Sequence, residues 1–437
     1  MHTLRPAIHR LLTLLSLTVM CLASLGGVQP TLAQTNPWTV DETIPNLNNG
    51  NSHVLWIKKG TTDTAGNYSG DTVSIWTVDV TGHQMAVSPT YGPYPGWRAP
   101  QLTPAFDGTL RMVWTKQNGI AGVSEDSIVS LWTLDGNANR MSVSPTYGPY
   151  PGWQFVENFA NPDGTSAVYW GKYTSGSGAA LTGNAISIWT VDSVGSRLTI
   201  SPTYGPYSGW YFHGGIPSFN KDGTSFLAWV NPGTTDTNNN YTGDQLSLWK
   251  TDSRGNETSI SPTYGRYPGW SFSQFYPAYD GTARLLWTQL GTTNNAGVYS
   301  GDTASVWSVD KFGTQTVVSP TYGPYSGWTV SSITATPSST SRLLWVLPGT
   351  TGSSGTFSGD QVSIWSLNAA DVETSISPTY TAPGGTLYGM DARPDGSEDL
   401  FWRFKSDANS NSTQFSLWAL DASNNRTATG PVYGPYF

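Results

Sequence analysis

The sequence predicts an all-β fold, a seven-bladed β-propeller of four-stranded blades. Two observations carry this prediction. A phrase close to SPTYGPYPGW recurs about every 57 residues, and each repeat contains signals for four short strands and none for a helix. Of the 437 residues, 20 are Trp, 48 are Gly and only 11% are charged, which excludes a coiled coil and a charged disordered tail. The net charge of −8 argues against a nucleic-acid partner.

The recurring phrase sets the number and length of the repeats. Its copies start at Ser88, Ser144, Ser201, Ser261, Ser319 and Ser377, and a final GPVYGPYF ends the chain. A period of this size is typical of a solenoid, a propeller or an array. The repeat is too short for an independent sandwich of about 100 residues. Closure into a ring removes the open sheet edges that a solenoid would leave, so we favour the propeller.

All tryptophans follow the same period and form three series. The first series lies in phrases like RLLW: Trp56, Trp114, Trp170, Trp229, Trp287, Trp345 and Trp402. The second lies in SIW or SLW: Trp76, Trp132, Trp189, Trp249, Trp307, Trp365 and Trp418. The third follows Pro-Gly or Ser-Gly in most copies: Trp38, Trp97, Trp153, Trp210, Trp270 and Trp328. Its seventh member is missing near Tyr388. A large aromatic residue at a fixed strand position usually fills the space between blades, and we expect this of all three series.

Each repeat is predicted to contain four strands, a to d. Strand a follows the third-series Trp, and an Asp-Gly hairpin turn leads to strand b, which ends in the first-series Trp. A longer b–c loop leads to strand c with SIW, and a D-x-x-G turn leads to strand d. If strand a is innermost, residues 37–437 form seven whole repeats, one per blade. If strand b is innermost, the strand at Trp38 must complete blade 7. The tight Asp-Gly turn favours the first arrangement.

Residues 1–33 are predicted to be a cleavable signal peptide, with cleavage after Ala33. An apolar run from Leu11 to Leu25 has the length of a signal-peptide core and is short for a membrane span. We therefore expect a secreted or cell-surface protein with no membrane span. The single cysteine, Cys21, lies in this segment, so the mature chain is predicted to have no disulfide.

The candidate ligand-binding residues lie in the b–c loops of blades 1, 4, 5 and 6. Alternate loops of a propeller blade emerge on opposite faces, so these loops share a face with the crossings from strand d to the next strand a. We call this the long-loop face. Each of the four loops has an aromatic residue three places before an aspartate: Tyr68 and Asp71, Tyr241 and Asp244, Tyr299 and Asp302, Phe357 and Asp360. An aromatic ring stacks on a sugar ring, a carboxylate accepts from its hydroxyls, and repetition gives avidity.

Other interpretations of these residues stay open. Gly-Asp before a strand is also ordinary turn chemistry, and the Tyr-rich crossings have a simple packing explanation. Asp63, Asn67 and Asp71 offer oxygen ligands for a cation, but the loop at 349–360 has a single carboxylate, so no metal or other cofactor is predicted.

Catalysis is not predicted from the motifs. No Ser/His/Asp order, phosphate-binding loop or dinucleotide motif occurs. Two of the six glutamates could still meet as the acid and base of a glycosidase: Glu42, Glu125, Glu157, Glu257, Glu373 and Glu398.

The phrases DGTARLLW, VSIWTVD and YGPYPGW resemble those of secreted bacterial Trp-rich repeat proteins over nearly all of residues 37–437. The layout of a strand, DGT and a strand ending in Trp is similar to tectonin- and tachylectin-type propellers, which implies multivalent glycan binding without catalysis. We therefore predict a secreted, lectin-like propeller whose partners are glycans or cell-surface polysaccharide. The alternatives are an extracellular protein-interaction or matrix-structural propeller and a polysaccharide-cleaving enzyme.

Overall fold

The computed structural model describes residues 37–117, 127–172, 183–219, 222–238, 240–338, 340–353, 355–405 and 413–436. Every helix or strand assigned in these ranges is a β-strand, which confirms the all-β prediction. Nor do these ranges contain a helix long and apolar enough to cross a membrane. The predicted signal peptide at 1–33 lies outside the described residues.

Seven antiparallel sheets, the blades, each contain four consecutive strands. Blades 1 to 4 have these bounds: β1 (Trp38–Pro45), β2 (Ser52–Lys58), β3 (Thr72–Val78), β4 (Gln84–Val87); β5 (Trp97–Pro104), β6 (Leu110–Gln117), β7 (Ser127–Leu134), β8 (Arg140–Val143); β9 (Gln154–Ala160), β10 (Ser166–Lys172), β11 (Ala185–Val191), β12 (Arg197–Ile200); β13 (Tyr211–Pro217), β14 (Ser225–Asn231), β15 (Gln245–Thr251), β16 (Glu257–Ile260). Blades 5 to 7 follow: β17 (Ser271–Pro277), β18 (Ala283–Gln289), β19 (Thr303–Val309), β20 (Gln315–Val318); β21 (Thr329–Ala335), β22 (Ser341–Leu347), β23 (Gln361–Leu367), β24 (Glu373–Ile376), with a short β25 (Tyr380–Thr381) beside β23; β26 (Gly385–Ala392), β27 (Glu398–Lys405), β28 (Thr413–Leu420), β29 (Arg426–Thr429).

Strand a of each blade is the innermost strand. The first strands of neighbouring blades contact one another around the whole ring, from β1 to β5 and finally from β26 back to β1. Each sheet has its four strands within its own repeat, so the strands that the structure describes close the ring without exchange between blades. The arrangement with strand a inside is therefore confirmed, and the alternative with strand b inside is wrong.

A bulge in strand a lets one blade bind the next. In blade 1 the register with strand b shifts between Val40 and Glu42, and the other six blades shift at the same place. A bulge re-aims the following side chain, here towards the free edge of the neighbouring strand a. Four such side chains accept a backbone N–H of the next blade: Glu42 from Leu102 (2.8 Å), Gln101 from Asn158 (2.9 Å), Glu157 from Gly215 (2.5 Å) and Gln274 from Ile333 (3.0 Å). Otherwise unpaired donors of the inner ring are thereby satisfied.

The first two Trp series form the aromatic core of the blades. In every blade the first- and second-series rings pair, with centroids 5.0–5.4 Å apart. A crossing tyrosine packs on the pair in six blades, as Tyr94 does on Trp114 and Trp132 of blade 2. Thirteen of these fourteen tryptophans are buried, and Trp76 is half-buried. The packing interpretation is confirmed for both series.

A second set of crossing tyrosines joins all seven blade interfaces. The Tyr91 hydroxyl donates to the carbonyl oxygen of Ala138 (2.9 Å) and accepts from the Arg140 amide (2.9 Å), both in the next blade. The same two bonds are made by Tyr147, Tyr204, Tyr264, Tyr322, Tyr380 and Tyr433. The accepting residue has a positive φ, which explains why most copies carry Gly there. Tyr433 bonds to blade 1, so this contact also closes the ring.

Candidate functional site

The four candidate loops are short hairpins on the long-loop face. Thr62 pairs with Tyr68 across the first hairpin, and the other three loops form the equivalent bridge. The Gly96 amide of the following crossing donates to the carbonyl oxygen of Tyr68 (2.8 Å). Loop and crossing therefore lie side by side, as the meander of strands predicts.

The candidate aspartates are buried and join each loop to the next blade. Asp71 Oδ1 accepts from the Gly60 amide (3.2 Å) and the Tyr68 hydroxyl, and Oδ2 accepts from the Ala99 amide (3.2 Å) in strand a of blade 2. The Lys59 ammonium lies 3.6 Å from Oδ2. Asp71 is therefore a positioning residue for the hairpin, and a direct contact between its carboxylate and a ligand stays a prediction.

The other three aspartates repeat this geometry. Each accepts from the loop glycine and from the next strand a: Asp244 from Gly233 (2.9 Å) and Phe272 (2.9 Å), Asp302 from Gly291 (3.1 Å) and Val330 (3.0 Å), Asp360 from Gly349 (2.9 Å) and Leu387 (2.9 Å). The Tyr241 and Tyr299 hydroxyls also donate to their aspartates, whereas Phe357 has no hydroxyl. Asp360 shows that the loop keeps its form without the tyrosine bond.

The loop aromatic residues are half-buried and differ in their surroundings. The Arg98 guanidinium lies over the Tyr68 ring, 4.3 Å from its centroid. At the matching position the other units have the small residues Ser271, Thr329 and Thr386. Burial and the neighbouring aspartate raise the pKa of both Tyr68 and Tyr241 to about 12, so both hydroxyls stay protonated at neutral pH.

The third Trp series differs from the other two, which the sequence patterns did not reveal. All six members are half-buried and pack against clusters of buried apolar residues, so the packing expectation is confirmed for them in part. Among the described residues, however, none of them pairs with another aromatic ring. The backbone of Trp97 is bound on both sides, by the Tyr94 carbonyl (2.9 Å) and the Asp71 amide (2.9 Å). Because strand a is innermost, the backbones of the six tryptophans lie in the inner part of the long-loop face. Their position at the start of strand a or just before it is the signal that could have identified them.

The missing seventh Trp corresponds to Gly385. The Gly385 carbonyl accepts from Asp360 (2.9 Å) and its amide donates to Ala382 (2.8 Å), as at Trp97. A Cβ at Gly385 would lie 2.8 Å from the Phe404 ring, which occupies this space. Tyr388, near which the gap was expected, donates its hydroxyl to the Asp41 carbonyl of blade 1 instead.

The opposite end of the channel carries three aromatic rings from blades 2, 4 and 5. Phe106 and Phe219 make an edge-on contact with centroids 4.7 Å apart, and Phe219 and Tyr279 do so at 5.0 Å. All three side chains lie in a–b turns. The first of these contacts joins blade 2 directly to blade 4, without a ring from blade 3. The three rings therefore extend across part of the channel mouth.

Strongly shifted carboxyl groups lie in blade 7, away from the loops. Burial raises the pKa of Glu398 to about 8 and that of Asp399 to about 6. Glu398 accepts from the Thr334 hydroxyl of blade 6 (3.0 Å), and Asp399 accepts from the Ser52 hydroxyl of blade 1 (2.6 Å). Both carboxyl groups are fully buried and connect neighbouring blades. In the described ranges no group of three or more His, Cys, Asp or Glu could hold a metal ion.

Fold and loops together define a seven-bladed β-propeller with self-contained blades and one face of repeated aromatic loops. No protein-family model matches the chain, and no curated protein matches its sequence. Among solved structures, the chain is similar to the β-propeller domain of the Trilobed protease from Pyrococcus furiosus, with 10% identity and a TM-score of 0.45 over 89% of this chain and 97% of that chain. It is also similar to the polysaccharide lyase Uly1, with 11% identity and a TM-score of 0.48 over 95% of both chains.

A third similar structure is a protein of unknown function from Dyadobacter fermentans, with 15% identity and a TM-score of 0.40 over 72% of this chain and 93% of that chain. No activity is transferred from these three proteins at such identities. The resemblance to Trp-rich repeat proteins and to tectonins stays a prediction.

Proposed function

We propose that this protein is a secreted, non-catalytic, lectin-like propeller that binds carbohydrate at several places on its long-loop face. The observation that supports this is the split within the aromatic residues. Two Trp series are packed against other rings, whereas the third series and the loop aromatics are half-buried together on one face. Half-buried aromatic rings present an apolar surface on which a sugar ring can stack.

A complete binding unit combines a loop aromatic, an aspartate and a third-series Trp. In blade 5 the Asp302 amide donates to the Trp328 carbonyl (2.9 Å), and the Asp302 side chain accepts from Tyr299. One aspartate thus holds both aromatic residues. A surface that is rigid before binding loses less conformational entropy when a ligand arrives.

The four units are not equivalent. The units of blades 4 and 5 have both aromatics, Tyr241 with Trp270 and Tyr299 with Trp328. In blade 1 Arg98 covers Tyr68, and in blade 6 Gly385 replaces the Trp. We therefore assign the strongest binding to blades 4 and 5. Several weak sites on one face give avidity for a polyvalent glycan.

A protein-interaction role is the second candidate function. The outer strands of blades 1 to 3 expose large apolar side chains, with Met85 62%, Met141 64% and Leu198 56% exposed. Blades 4 to 7 have Thr at this position, and each hydroxyl bonds back to its own blade. Exposed apolar patches often mark protein contacts.

A glycan array with residues 34–437 tests the proposal, with a Tyr299→Ala/Trp328→Ala variant as the probe of one complete unit. We expect binding to at least one glycan and a loss of roughly fivefold or more in the variant, since avidity multiplies the loss of a site. Tyr299→Phe is the matched control, because blade 6 carries Phe naturally, and it is expected to retain binding.

Three outcomes would contradict the proposal. These are no glycan bound, equal binding by the Ala variant, or release of reducing sugar from a bound polysaccharide. A stoichiometric protein recovered from the cell surface, together with an empty array, would favour the protein-interaction role.

A further inference from the structure

An open groove lies at the outer part of the interface between blades 1 and 2. Its volume is about 410 Å³, and it is lined by Pro89, Thr90, Tyr91, Tyr94, Asn139 and Arg140. The groove contains a half-buried tyrosine ring, hydroxyl and amide groups, and a guanidinium. These are the groups that bind a polar ring bearing a negative charge.

The side chain at the position of Arg140 differs between the seven interfaces, whereas the hydrogen bond of its backbone amide is the same in all of them. In all seven interfaces its amide donates to the crossing tyrosine described above. Arginine occupies three of these positions: Arg140, Arg197 and Arg426. The other four hold glutamate or glutamine: Glu257, Glu373, Gln84 and Gln315. The three arginines belong to interfaces 1/2, 2/3 and 6/7, which lie on one side of the ring.

Each of these guanidinium groups lies over an indole ring of its own blade. Arg140 lies 4.9 Å from the Trp132 centroid, Arg197 lies 4.6 Å from Trp189, and Arg426 lies 4.6 Å from Trp418. All three residues are exposed, and none has a hydrogen-bonded or ionic side-chain partner within the described ranges. A guanidinium stacked on a ring keeps its N–H edge available for a carboxylate.

The nearest carboxylate of the turn is already bound by its own loop. Asp135 Oδ1 accepts from the amides of Asn137 (2.9 Å) and Asn139 (2.8 Å). The turns before Arg197 and Arg426 contain the same arrangement, at Asp192 and Asp421. These carboxylates build the turn, and the guanidinium edges remain for an external anion.

We propose that the groove beside Arg140 binds a carboxylate-bearing sugar residue, a uronate, and that the equivalent surfaces beside Arg197 and Arg426 do the same, so that the outer edge of the ring on this side recognises acidic polysaccharide. The inference rests on the proposed function, because it takes carbohydrate as the class of ligand. The residues that carry it are different from those of the long-loop face. The chain has a net charge of −8, so long-range attraction does not draw a polyanion to it. Binding therefore depends on local contacts at the three arginines.

The test compares the protein with an Arg140→Gln/Arg197→Gln/Arg426→Gln variant on immobilised polygalacturonate. Glutamine occurs naturally at 84 and 315, and the amide bond to the tyrosine persists, so the variant is expected to fold normally. We expect binding that weakens as salt rises and a loss of at least roughly tenfold in the variant. Gln84→Ala/Gln315→Ala is the matched control and is expected to bind like the parent protein.

Methyl-esterified polygalacturonate and phosphatidylserine vesicles complete the test. Unchanged binding by the triple variant, equal binding to the ester, or binding to the vesicles alone would overturn the inference. Neutral glycans separate it from the proposed function. If no neutral glycan binds but arginine-dependent binding to polygalacturonate is found, the proposed sites on the long-loop face are wrong and the arginine sites are supported. If neutral glycans bind and polygalacturonate does not, the long-loop sites are supported and the arginine sites are wrong.

Discussion

The hydroxyl of Tyr433 donates to the carbonyl oxygen of Gly82 at 3.1 Å, which joins the end of the chain to its first blade. The same hydroxyl accepts from the Gln84 amide (2.8 Å). Among the described strands none is exchanged between blades 7 and 1, so this crossing links the two blades in place of a shared strand.

Tyr433→Phe is expected to lower the free energy of unfolding by about 1–2 kcal/mol, because a carbonyl and an amide lose a partner. Urea denaturation measures this. Tyr204→Phe removes the same two bonds between blades 3 and 4 and serves as the control. Removal of residues 431–437 should be much more destabilising, since Tyr436 also packs on Trp56 and Trp76. Equal stability of the truncated and full chains would contradict this account of ring closure.

Sequence reasoning located the blades because their signals are local. Period, Asp-Gly turns and strand alternation each depend on a few adjacent residues, and the argument for strand a as the inner strand rests on turn length. The partial exposure of the third Trp series was missed because the degree of burial depends on which ring lies across the interface. Trp97 and Trp114 both read as large aromatics beside a strand, yet only Trp114 meets another indole.

The role of the loop aspartates was missed for a similar reason. The partners of Asp71 include Ala99, which is 28 residues away and in another blade. The residues next to Asp71 in the sequence do not indicate that the Ala99 amide is its partner. A role of the aspartate in its own turn was one of the interpretations left open. The observed bonds show that role and add a second one, a bond to the neighbouring blade.

Asp302→Ala is expected to destabilise the fold by about 2–3 kcal/mol. The Gly291 and Val330 amides would lose a charged acceptor, and a buried donor without a partner is expensive. Urea denaturation is the measurement. Val298→Ala, at an exposed position in the same loop, is the control and should change stability by less than about 0.5 kcal/mol. A small effect of Asp302→Ala would mean that the aspartate does not hold the loop.

Two buried arginines, Arg111 and Arg284, differ in whether a carboxylate lies beside the guanidinium. Arg111 is 1% exposed, and burial lowers its pKa. Its Nη1 donates to the Thr109 hydroxyl (2.6 Å), but within the described ranges its Nε and Nη2 have no hydrogen-bond partner and no carboxylate forms an ion pair with it. Arg284 is similarly buried but lies 3.5 Å from Asp371 of the next blade. A buried charge is unfavourable without a partner, and removal of one member of a buried pair leaves the other uncompensated.

Arg111→Met is therefore expected to leave stability unchanged or to raise it by about 1 kcal/mol, whereas Arg284→Met should lower it by about 3 kcal/mol. The two unfolding curves are compared at one pH. Equal losses in both variants would show that packing of the side-chain stem, and not the charge, dominates at these positions.

The buried Glu398 predicts a pH dependence of stability. Burial raises its pKa to about 8 in the folded state, above the value in an unfolded chain. The folded protein therefore binds the proton more tightly, and this stabilisation is present at low pH and lost as the pH rises through about 8. The Arg342 guanidinium lies 3.9 Å from this carboxyl group and partly offsets the effect of burial on its pKa. Glu398→Gln should make the free energy of unfolding flatter between about pH 5 and 8. Glu373→Gln, at an exposed position, is the control; parallel curves for the Glu398 variant and the parent would refute the prediction.

The half-buried third Trp series predicts a distinct class of accessible fluorophores. Six of the 20 tryptophans belong to it, and of the others only Trp76 is not buried. Acrylamide should therefore quench a minor fraction of the emission efficiently, and a bound glycan should protect that fraction. Trp328→Phe should reduce both the quenched fraction and its protection, whereas Trp345→Phe, at a buried position, should leave them unchanged in a folded protein. If a glycan that binds with high affinity gives no protection, its site does not include these indoles, and the long-loop face would have to bind through the tyrosines alone.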